Sequence, residues 1–368
     1  TNLAADVTTS GTQTYGDDAE SDTVTLEAAI NFTTTDSNIT FNSIIDSNNA
    51  TPKAITIDMD NSGVEEDGTV TFAGVVGTNE DVAAISITGN LDLNAAIGSG
   101  ATAGATSISV SGASNLGASV TTTGNQTYTG AVTLSANNTL TTTSNGTVSF
   151  VSTTDSDATD RTLAITTNGT GDVSFTGAVG GTGGLNGLTI DTNQFNAAAL
   201  TVGGTISITN TDTASSEITG VIANDTDAAV LTKAGTGTLT LSGDNIYTGA
   251  TTVNTGTLKV TADDALGTTA AGTTVASGAT LDFAGVTYET TEAVTVDGGT
   301  ISTSAGTSSF AGAITLGAHS TFDVDGTQLT VSGNVTDAGN TYNIDKTGTG
   351  ILVLSNTTNS YTGTTDIS

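Results

Sequence analysis

Hydrophobic and polar residues alternate in short runs along the chain, and turn-forming residues separate the runs. Leu239 and Leu241 alternate with Thr238 and Thr240, a period of two that predicts a strand with one buried face. Gly-Thr-Gly precedes this run and Ser-Gly-Asp-Asn follows it, so a turn is predicted on either side. Helical periodicity is nearly absent. The pattern therefore predicts an all-β fold built from many short strands.

The centres of these runs recur at a near-constant interval. One series of apolar centres is Leu239, Leu258, Leu281, Ile301 and Phe322, with steps of 19, 23, 20 and 21 residues. A second series is Val253, Val275, Val294, Ile314 and Val335, with steps of 22, 19, 20 and 21 residues. Two series that stay in phase indicate a parallel β-helix (β-solenoid) with coils of about 20 residues, rather than scattered hairpins.

A longer repeat contains this short one. Tyr15, Tyr128, Tyr247 and Tyr361 are separated by 113, 119 and 114 residues (128−15, 247−128, 361−247). Between the first two modules, Phe41-Asn-Ser-Ile-Ile-Asp46 matches Phe150-Val-Ser-Thr-Thr-Asp155. Duplication at a fixed period is typical of repeat architectures.

Two stretches resemble a known family. Lys233-Ala-Gly-Thr-Gly-Thr-Leu-Thr-Leu-Ser-Gly243 with Tyr247-Thr-Gly-Ala-Thr251, and Lys346-Thr-Gly-Thr-Gly350 with Tyr361-Thr-Gly-Thr-Thr365, resemble the passenger-associated β-strand repeat of bacterial autotransporters. The first two modules resemble the repeats of filamentous-haemagglutinin-like giant surface adhesins. The resemblance implies a right-handed winding and export to the cell surface. It also implies haemagglutinin-like modules over residues 1–230 and autotransporter-type modules over 231–368, the last truncated, in one continuous solenoid.

Charge and composition narrow the classes of partner. The chain has 5 basic and 37 acidic residues, which gives a net charge of −32 that repels nucleic acid and anionic lipid. There is no cysteine, so stability must come from stacked strands rather than from disulfides. No apolar run is long enough to span a membrane, and direct membrane insertion of this segment is not expected.

An acidic stretch suggests a possible calcium site. Asp58, Asp60 and Ser62, followed by Gly63, have the oxygen spacing of the first half of a calcium loop. The twelfth position, where a bidentate acid is required, is Thr69, so a solvated acidic turn is the alternative. The surrounding residues 45–68, which include the only proline, are predicted to form a protruding loop.

The remaining polar residues do not indicate catalysis. His319 is the only histidine, and no nucleophile elbow accompanies it, so a surface turn is expected there. Lys233 and Lys346 are expected to pair with an acid on an adjacent coil. The aromatic residues are expected to stack in the core. We therefore expect no catalytic and no cofactor-binding residues, and no cofactor other than the possible calcium.

The sequence as a whole predicts a structural and adhesive rod of an exported bacterial protein, at the cell surface or in the extracellular matrix. It would act as a stiff spacer and a contact surface. Its expected partners are a host surface, a neighbouring cell or other copies of itself. One alternative is a self-assembling subunit of an extracellular filament or surface layer. A second is a polysaccharide-degrading β-helix enzyme that uses paired carboxylates.

Overall fold

A computed structural model describes residues 1–17, 22–49, 51–59, 67–98, 104–213 and 216–368. The chain divides into two compact units. Unit 1 comprises Thr1–Leu185 and Asp191–Asn193, and unit 2 comprises Asn186–Ile190 and Gln194–Ser368. The described ranges contain strands and turns but no helix, and therefore no helix that could cross a membrane.

Unit 1 contains short strands of two to seven residues. They are β1 (Asn2–Leu3), β2 (Val7–Thr8), β3 (Gln13–Tyr15), β4 (Thr23–Leu26), β5 (Ile30–Thr33), β6 (Ile39–Phe41), β7 (Ile44–Ser47), β8 (Ile55–Asp58), β9 (Thr69–Phe72), β10 (Val82–Thr88), β11 (Asn90–Leu93), β12 (Ala105–Val110), β13 (Ser114–Leu116), β14 (Val120–Thr122), β15 (Gln126–Tyr128), β16 (Val132–Leu134), β17 (Asn138–Thr142), β18 (Val148–Phe150), β19 (Thr154–Ser156), β20 (Arg161–Thr167) and β21 (Val173–Phe175). Residues of β22 (Leu185–Thr192) are divided between the two units.

Unit 2 also consists of β-strands, most of them short. Its strands are β23 (Phe195–Ala197), β24 (Leu200–Asn210), β25 (Ser216–Ile218), β26 (Ile222–Asn224), β27 (Val230–Ala234), β28 (Thr238–Leu241), β29 (Thr251–Val253), β30 (Thr257–Val260), β31 (Thr273–Val275), β32 (Thr280–Phe283), β33 (Thr287–Tyr288), β34 (Val294–Val296), β35 (Thr300–Thr303), β36 (Thr307–Phe310), β37 (Ile314–Leu316), β38 (Ser320–Val324), β39 (Gln328–Val331), β40 (Val335–Thr336), β41 (Ile344–Thr347), β42 (Ile351–Leu354) and β43 (Thr365–Ile367).

In unit 1 each strand pairs in parallel with a strand one coil further along the chain. One row runs β2, β5, β8, β10, β12, β15, β18 and β21. A second row runs β3, β6, β9, β11, β13, β16 and β19. A third begins with β1, β4 and β7 and ends with β14, β17 and β20, and single bridges through Val76 and Ile97 link its two parts. Three rows of parallel strands form the sides of a solenoid.

Unit 2 is built in the same way. Its first row runs β23, β25, β28, β30, β32, β35, β38, β41 and β43. Its second row runs β24, β27, β29, β31, β34, β37 and β40, and its third runs β33, β36, β39 and β42. The predicted fold class is confirmed: the chain is an all-β parallel β-solenoid with coils of about 22 residues. The right-handed winding stays a prediction.

The structure confirms one apolar series in full and corrects the other. Leu239, Leu258, Leu281, Ile301 and Phe322 are successive Cα partners in the first row of unit 2. In the second row, however, Val275 pairs with Val296, and Val294 pairs with Thr273. Val294 and Val296 both point inward, so a shift of two residues leaves the hydrophobic pattern unchanged.

Aromatic side chains stack in the core, as predicted. The two stacks of unit 1 are Tyr15–Phe41–Phe72 and Tyr128–Phe150–Phe175. Ring centroids in the first are 5.0 and 5.5 Å apart, and those in the second are 5.2 and 4.6 Å apart. The first stack joins β3, β6 and β9, whereas the second joins β15, β18 and β21 in a different row. The duplicated module therefore does not span a whole number of coils, and its second copy lies on another side of the solenoid.

Asp46 and its counterpart in the second module, Asp155, have the same local role. The Asp46 carboxylate accepts a hydrogen bond of 2.7 Å from the backbone N–H of Thr78 on the next coil. The Asp155 carboxylate accepts an equivalent bond of 2.9 Å from Thr182. Both carboxylates are nearly buried, with 4% and 9% of their residues exposed, and they fix the corner of the following coil.

The prediction of a protruding loop over residues 45–68 is wrong for the part that the structure describes. β8 and all of β7 except Ile44 lie within this range, and β8 pairs with both β5 and β10. Ile55 and Ile57 are fully buried on its inward face. Pro52 lies just before β8 and does not displace this strand from the sheet.

Candidate contact surface and repeat corners

The outward side chains of the first row in unit 2 form two columns of polar residues. Because successive strand residues point to opposite faces, leucines of this row lie inside and hydroxyls lie outside. The first column is Thr238, Thr257, Thr280, Thr300 and Thr321. The second column is Thr240, Lys259, Asp282, Ser302, Asp323 and Thr347. We call this surface the hydroxyl trough.

The hydroxyl trough is a shallow, open depression of about 510 Å³. Its carboxylates are held in place by neighbouring coils. Asp282 accepts hydrogen bonds from the Ser302 hydroxyl at 3.0 Å and from the Ser304 backbone N–H at 2.8 Å. Asp323 accepts one of 2.7 Å from the Thr347 hydroxyl. These bonds orient the outer face before any partner arrives, which lowers the entropic cost of binding.

Lys259 is the cation of the hydroxyl trough. Its Cα partners are Thr240 on one side and Asp282 on the other, and its side chain is half-exposed. Within the described part of the chain, the ion pair is Arg161–Asp157 in unit 1, and the Lys259 ammonium forms neither an ion pair nor an intramolecular hydrogen bond. Its three donors are therefore available to a partner.

The chemistry of the trough suits recognition of a polar partner. Hydroxyls offer both donors and acceptors, the Asp323 carboxylate offers acceptors, and Lys259 offers donors. None of the described residues that line the depression is aromatic. Binding there would depend on many hydrogen bonds across a flat face.

The two repeat lysines lie inside the solenoid and do not pair with acids. Lys233 is fully buried between Ile208 and Val253 in an inward column. Its ammonium donates to the carbonyl oxygens of Ala234 at 2.7 Å, Gly235 at 3.1 Å and Thr255 at 3.4 Å. Burial lowers the pKa of Lys233 to about 8. The expected ion pair is therefore wrong for this lysine.

Lys346 repeats the arrangement of Lys233. Its ammonium donates to the carbonyl oxygens of Thr347 at 2.6 Å and Gly348 at 2.8 Å. Gly348 has a φ of 75° and Gly235 has a φ of 76°, a conformation that only glycine adopts at little cost. The tight glycine corner turns its carbonyls inward, and the lysine supplies the donors that they need.

The Asn-x-Tyr-Thr-Gly-x-Thr part of the repeat forms a second corner. Tyr247 and Thr251 share a hydrogen bond between their hydroxyls of 2.6 Å, and Tyr361 and Thr365 share one of 2.8 Å. Two residues before each tyrosine, an asparagine accepts a bond from the preceding coil. The distances are 2.7 Å for Ile222 N to Asn245 Oδ1 and 2.9 Å for Val335 N to Asn359 Oδ1.

The glycine of this corner is required by close approach. A Cβ atom at Gly249 would overlap the carbonyl oxygen of Ala229, and one at Gly363 would overlap that of Tyr342. Each element of the repeat thus satisfies backbone groups or allows one coil to contact the next. The repeated residues define a solenoid-building unit rather than a reaction centre.

The fold and these corners define a repeat protein of the parallel β-solenoid class. Residues 231–260 and 344–368 match the passenger-associated-transport-repeat family, and both ranges contain the inward lysine. The chain is also 35% identical over 168 residues to the Adhesin BmaC autotransporter of Brucella suis biovar 1 (strain 1330). No solved structure matches the chain.

These matches confirm the resemblance to autotransporter passenger repeats. The two matched ranges resemble autotransporter passenger repeats, and the matches support a location at the cell surface or in the secreted fraction. The aligned region is 45% of this chain but only 4% of the Brucella protein. The chain thus corresponds to a small part of that relative's length.

Of the three residues proposed to bind calcium, the structure places one. Asp58 ends β8, beside Thr33 and Thr88 on the neighbouring strands, and its Oδ1 has no hydrogen-bond partner among the described residues. Asp60 and Ser62 lie outside the described residues. Within the described ranges, no group of three or more histidine, cysteine, aspartate or glutamate side chains could hold a metal ion.

His319 lies in an exposed turn, as expected. Its Nδ1 accepts a hydrogen bond of 2.9 Å from the backbone N–H of Asn343 on the next coil. Its ring meets that of Tyr342 edge-on, with 5.9 Å between centroids. The histidine contributes to contact between coils at this corner.

We predict that Lys233→Met destabilises unit 2 by about 2 kcal/mol, because buried carbonyl oxygens lose their donors. Lys259→Met is the matched control. It removes the same ammonium from an outward position where no intramolecular partner is lost, so we expect a change within about 0.5 kcal/mol. Urea unfolding of the whole chain, followed by circular dichroism, measures both. Equal midpoints for the two variants would contradict the role of Lys233.

Proposed function

We propose that this chain is an adhesive segment of a surface-exposed passenger, and that the hydroxyl trough of unit 2 is its contact surface. The observation that carries this proposal is the trough itself, an oriented polar face with an unpaired cation at Lys259. The name of the similar Brucella protein, which is an adhesin, supports this proposal. The partner is a host surface or a neighbouring cell.

A stiff spacer is the second part of the proposal. In each unit, the strands of one coil donate and accept backbone hydrogen bonds to the next through three rows. Bending such a unit would stretch bonds in at least one row, and lost hydrogen bonds are costly. Stacked coils would hold the contact surface away from the cell that exports it.

The proposed activity is non-enzymatic, and it requires neither nucleic acid nor membrane insertion. The net charge of −32 disfavours polyanionic partners and favours those rich in neutral hydroxyls or cations. Self-assembly into a filament or surface layer and polysaccharide degradation stay alternative predictions. No feature of the described residues specifically favours either one.

Calcium binding by Asp58, Asp60 and Ser62 is a separate proposal. The unpartnered Oδ1 of Asp58 supports it. A bound ion would stabilise the folded state by mass action, so the thermal midpoint of the chain should rise when millimolar calcium replaces a chelator. Magnesium at the same concentration is the control, since it prefers a smaller octahedral site. An unchanged midpoint would contradict calcium binding by these residues.

Adhesion through the trough is tested by the double variant Thr280→Arg/Thr300→Arg. These two residues are Cα partners on adjacent coils within the trough, and bulky charged side chains there would prevent a partner from reaching the flat face. We expect binding of the fluorescently labelled chain to cultured epithelial cells to fall about tenfold or more. Flow cytometry measures the bound fraction.

The matched control is Thr274→Arg/Thr295→Arg. These threonines are also half-exposed Cα partners on adjacent coils, but they lie in the second row of unit 2. The control adds the same charge and the same volume on another side of the solenoid, so it should bind as the unaltered chain does. Equal loss in both variants would exclude the trough as the contact surface. Failure of the unaltered chain to bind any cell would overturn the adhesive proposal.

A further inference from the structure

A glutamate is buried in the corner region of unit 2, among residues that do not neutralise its charge. Glu292 is 1% exposed. Its Oε1 accepts a hydrogen bond of 2.6 Å from the Thr273 hydroxyl on the preceding coil, and its Oε2 has no hydrogen-bond partner. Within the described part of the chain, no lysine or arginine forms an ion pair with it.

The Thr273 hydroxyl contacts Glu292, and the buried Tyr247 and Tyr288 lie near it. Thr251 and Thr273 are buried Cα partners, and the Thr251 hydroxyl is bonded to that of Tyr247. The buried Tyr288 accepts a hydrogen bond of 3.1 Å from the backbone N–H of Leu266. Burial raises the pKa of both tyrosines, and the Glu292 carboxylate raises them further. Asp264, which also raises the pKa of Tyr288, adds negative rather than positive potential.

A carboxylate in these surroundings lacks what normally stabilises one. A buried charge requires an opposite charge or several donors, and Glu292 has a single hydroxyl donor. A carboxylic acid that keeps its proton carries no charge, so it costs much less to bury.

The geometry points to Glu292 as a proton-dependent lock between coils of unit 2: the neutral acid holds the corner closed, and loss of its proton weakens it. Consistent with this arrangement, burial raises the pKa of the Glu292 carboxyl to about 8, against the lowering effect of the Thr273 hydrogen bond. The solenoid would therefore be more stable against unfolding at mildly acidic pH than at higher pH.

The direction of the pH effect follows from proton linkage. The ordinary pKa of a glutamate, close to 4.5, applies to the unfolded chain, and the folded value is higher. Between these values the folded state binds more protons, so stability falls as pH rises from about 4.5 to about 8 and is level above that. One such proton changes the unfolding equilibrium by up to about tenfold per pH unit.

The experiment compares Glu292→Gln with Glu289→Gln in the full chain by urea unfolding between pH 5 and pH 8. Glutamine has nearly the shape of the neutral acid but cannot ionise. Glu289 is exposed and three residues away, so it controls for the loss of one negative charge from the same corner. Comparison between the two variants cancels the contribution of every titratable group that both retain.

We expect the midpoint of the Glu289→Gln chain to fall with rising pH and that of the Glu292→Gln chain to stay nearly level. The two variants should differ least at pH 5 and most at pH 8. Parallel pH profiles would overturn the inference.

If Glu292→Gln does not fold, infrared spectroscopy of the unaltered chain and of Glu289→Gln tests the inference instead. A buried neutral carboxyl absorbs apart from ionised carboxylates, so the folded, unaltered chain and Glu289→Gln should both show this band at pH 7. The band should disappear on unfolding, because the carboxyl then regains its ordinary pKa. Its absence from the folded chain would show that Glu292 is ionised and would refute the lock.

Discussion

Parallel pairing between each coil and the next is the constraint on which the rest of this structure depends. A strand in one coil must lie opposite its counterpart in the next, so side chains of like kind fall into columns. Leucine, valine and phenylalanine predominate in the inward columns, beside buried threonines such as Thr251 and Thr273, and threonine and serine predominate in the outward ones. A coil can vary in length only where the chain turns, which is why the corners carry the most specific residues.

Corners create a second requirement, because a tight turn directs backbone carbonyls and N–H groups toward the core. The protein meets it with buried polar side chains such as Lys233, Asn245 and Asp46, each of which bonds to backbone groups. The repeated motif of the family matches is thus an assembly device. In the proposed function, recognition of a partner would use the outward columns, whose residues differ from coil to coil.

The fold could be predicted from sequence because alternation and coil period both depend on residue type alone. Leu239 and its four successors were identifiable as one column for that reason. The shift from Val294 to Val296 could not be predicted, because both valines face inward. A shift of two residues in the strand register leaves the hydrophobic pattern unchanged. The bonding of Lys233 to carbonyl oxygens was also missed, since a lysine in a very acidic chain suggests an acidic partner. The hydroxyl trough and the burial of Glu292 depend on which coils become neighbours, and only the three-dimensional structure shows this.

Cysteine pairing measures the coil register directly, and the chain has no cysteine to interfere. Thr252 and Thr274 are Cα partners on adjacent coils, whereas Thr252 and Thr295 are two coils apart. Strands one coil apart are about 4.8 Å distant, within reach of a disulfide, and strands two coils apart are about 9.6 Å distant, beyond it. Mild oxidation should therefore crosslink Thr252→Cys/Thr274→Cys in the folded chain and leave Thr252→Cys/Thr295→Cys uncrosslinked. Equal crosslinking of the two pairs, or crosslinking of the second alone, would contradict a solenoid of stacked parallel coils.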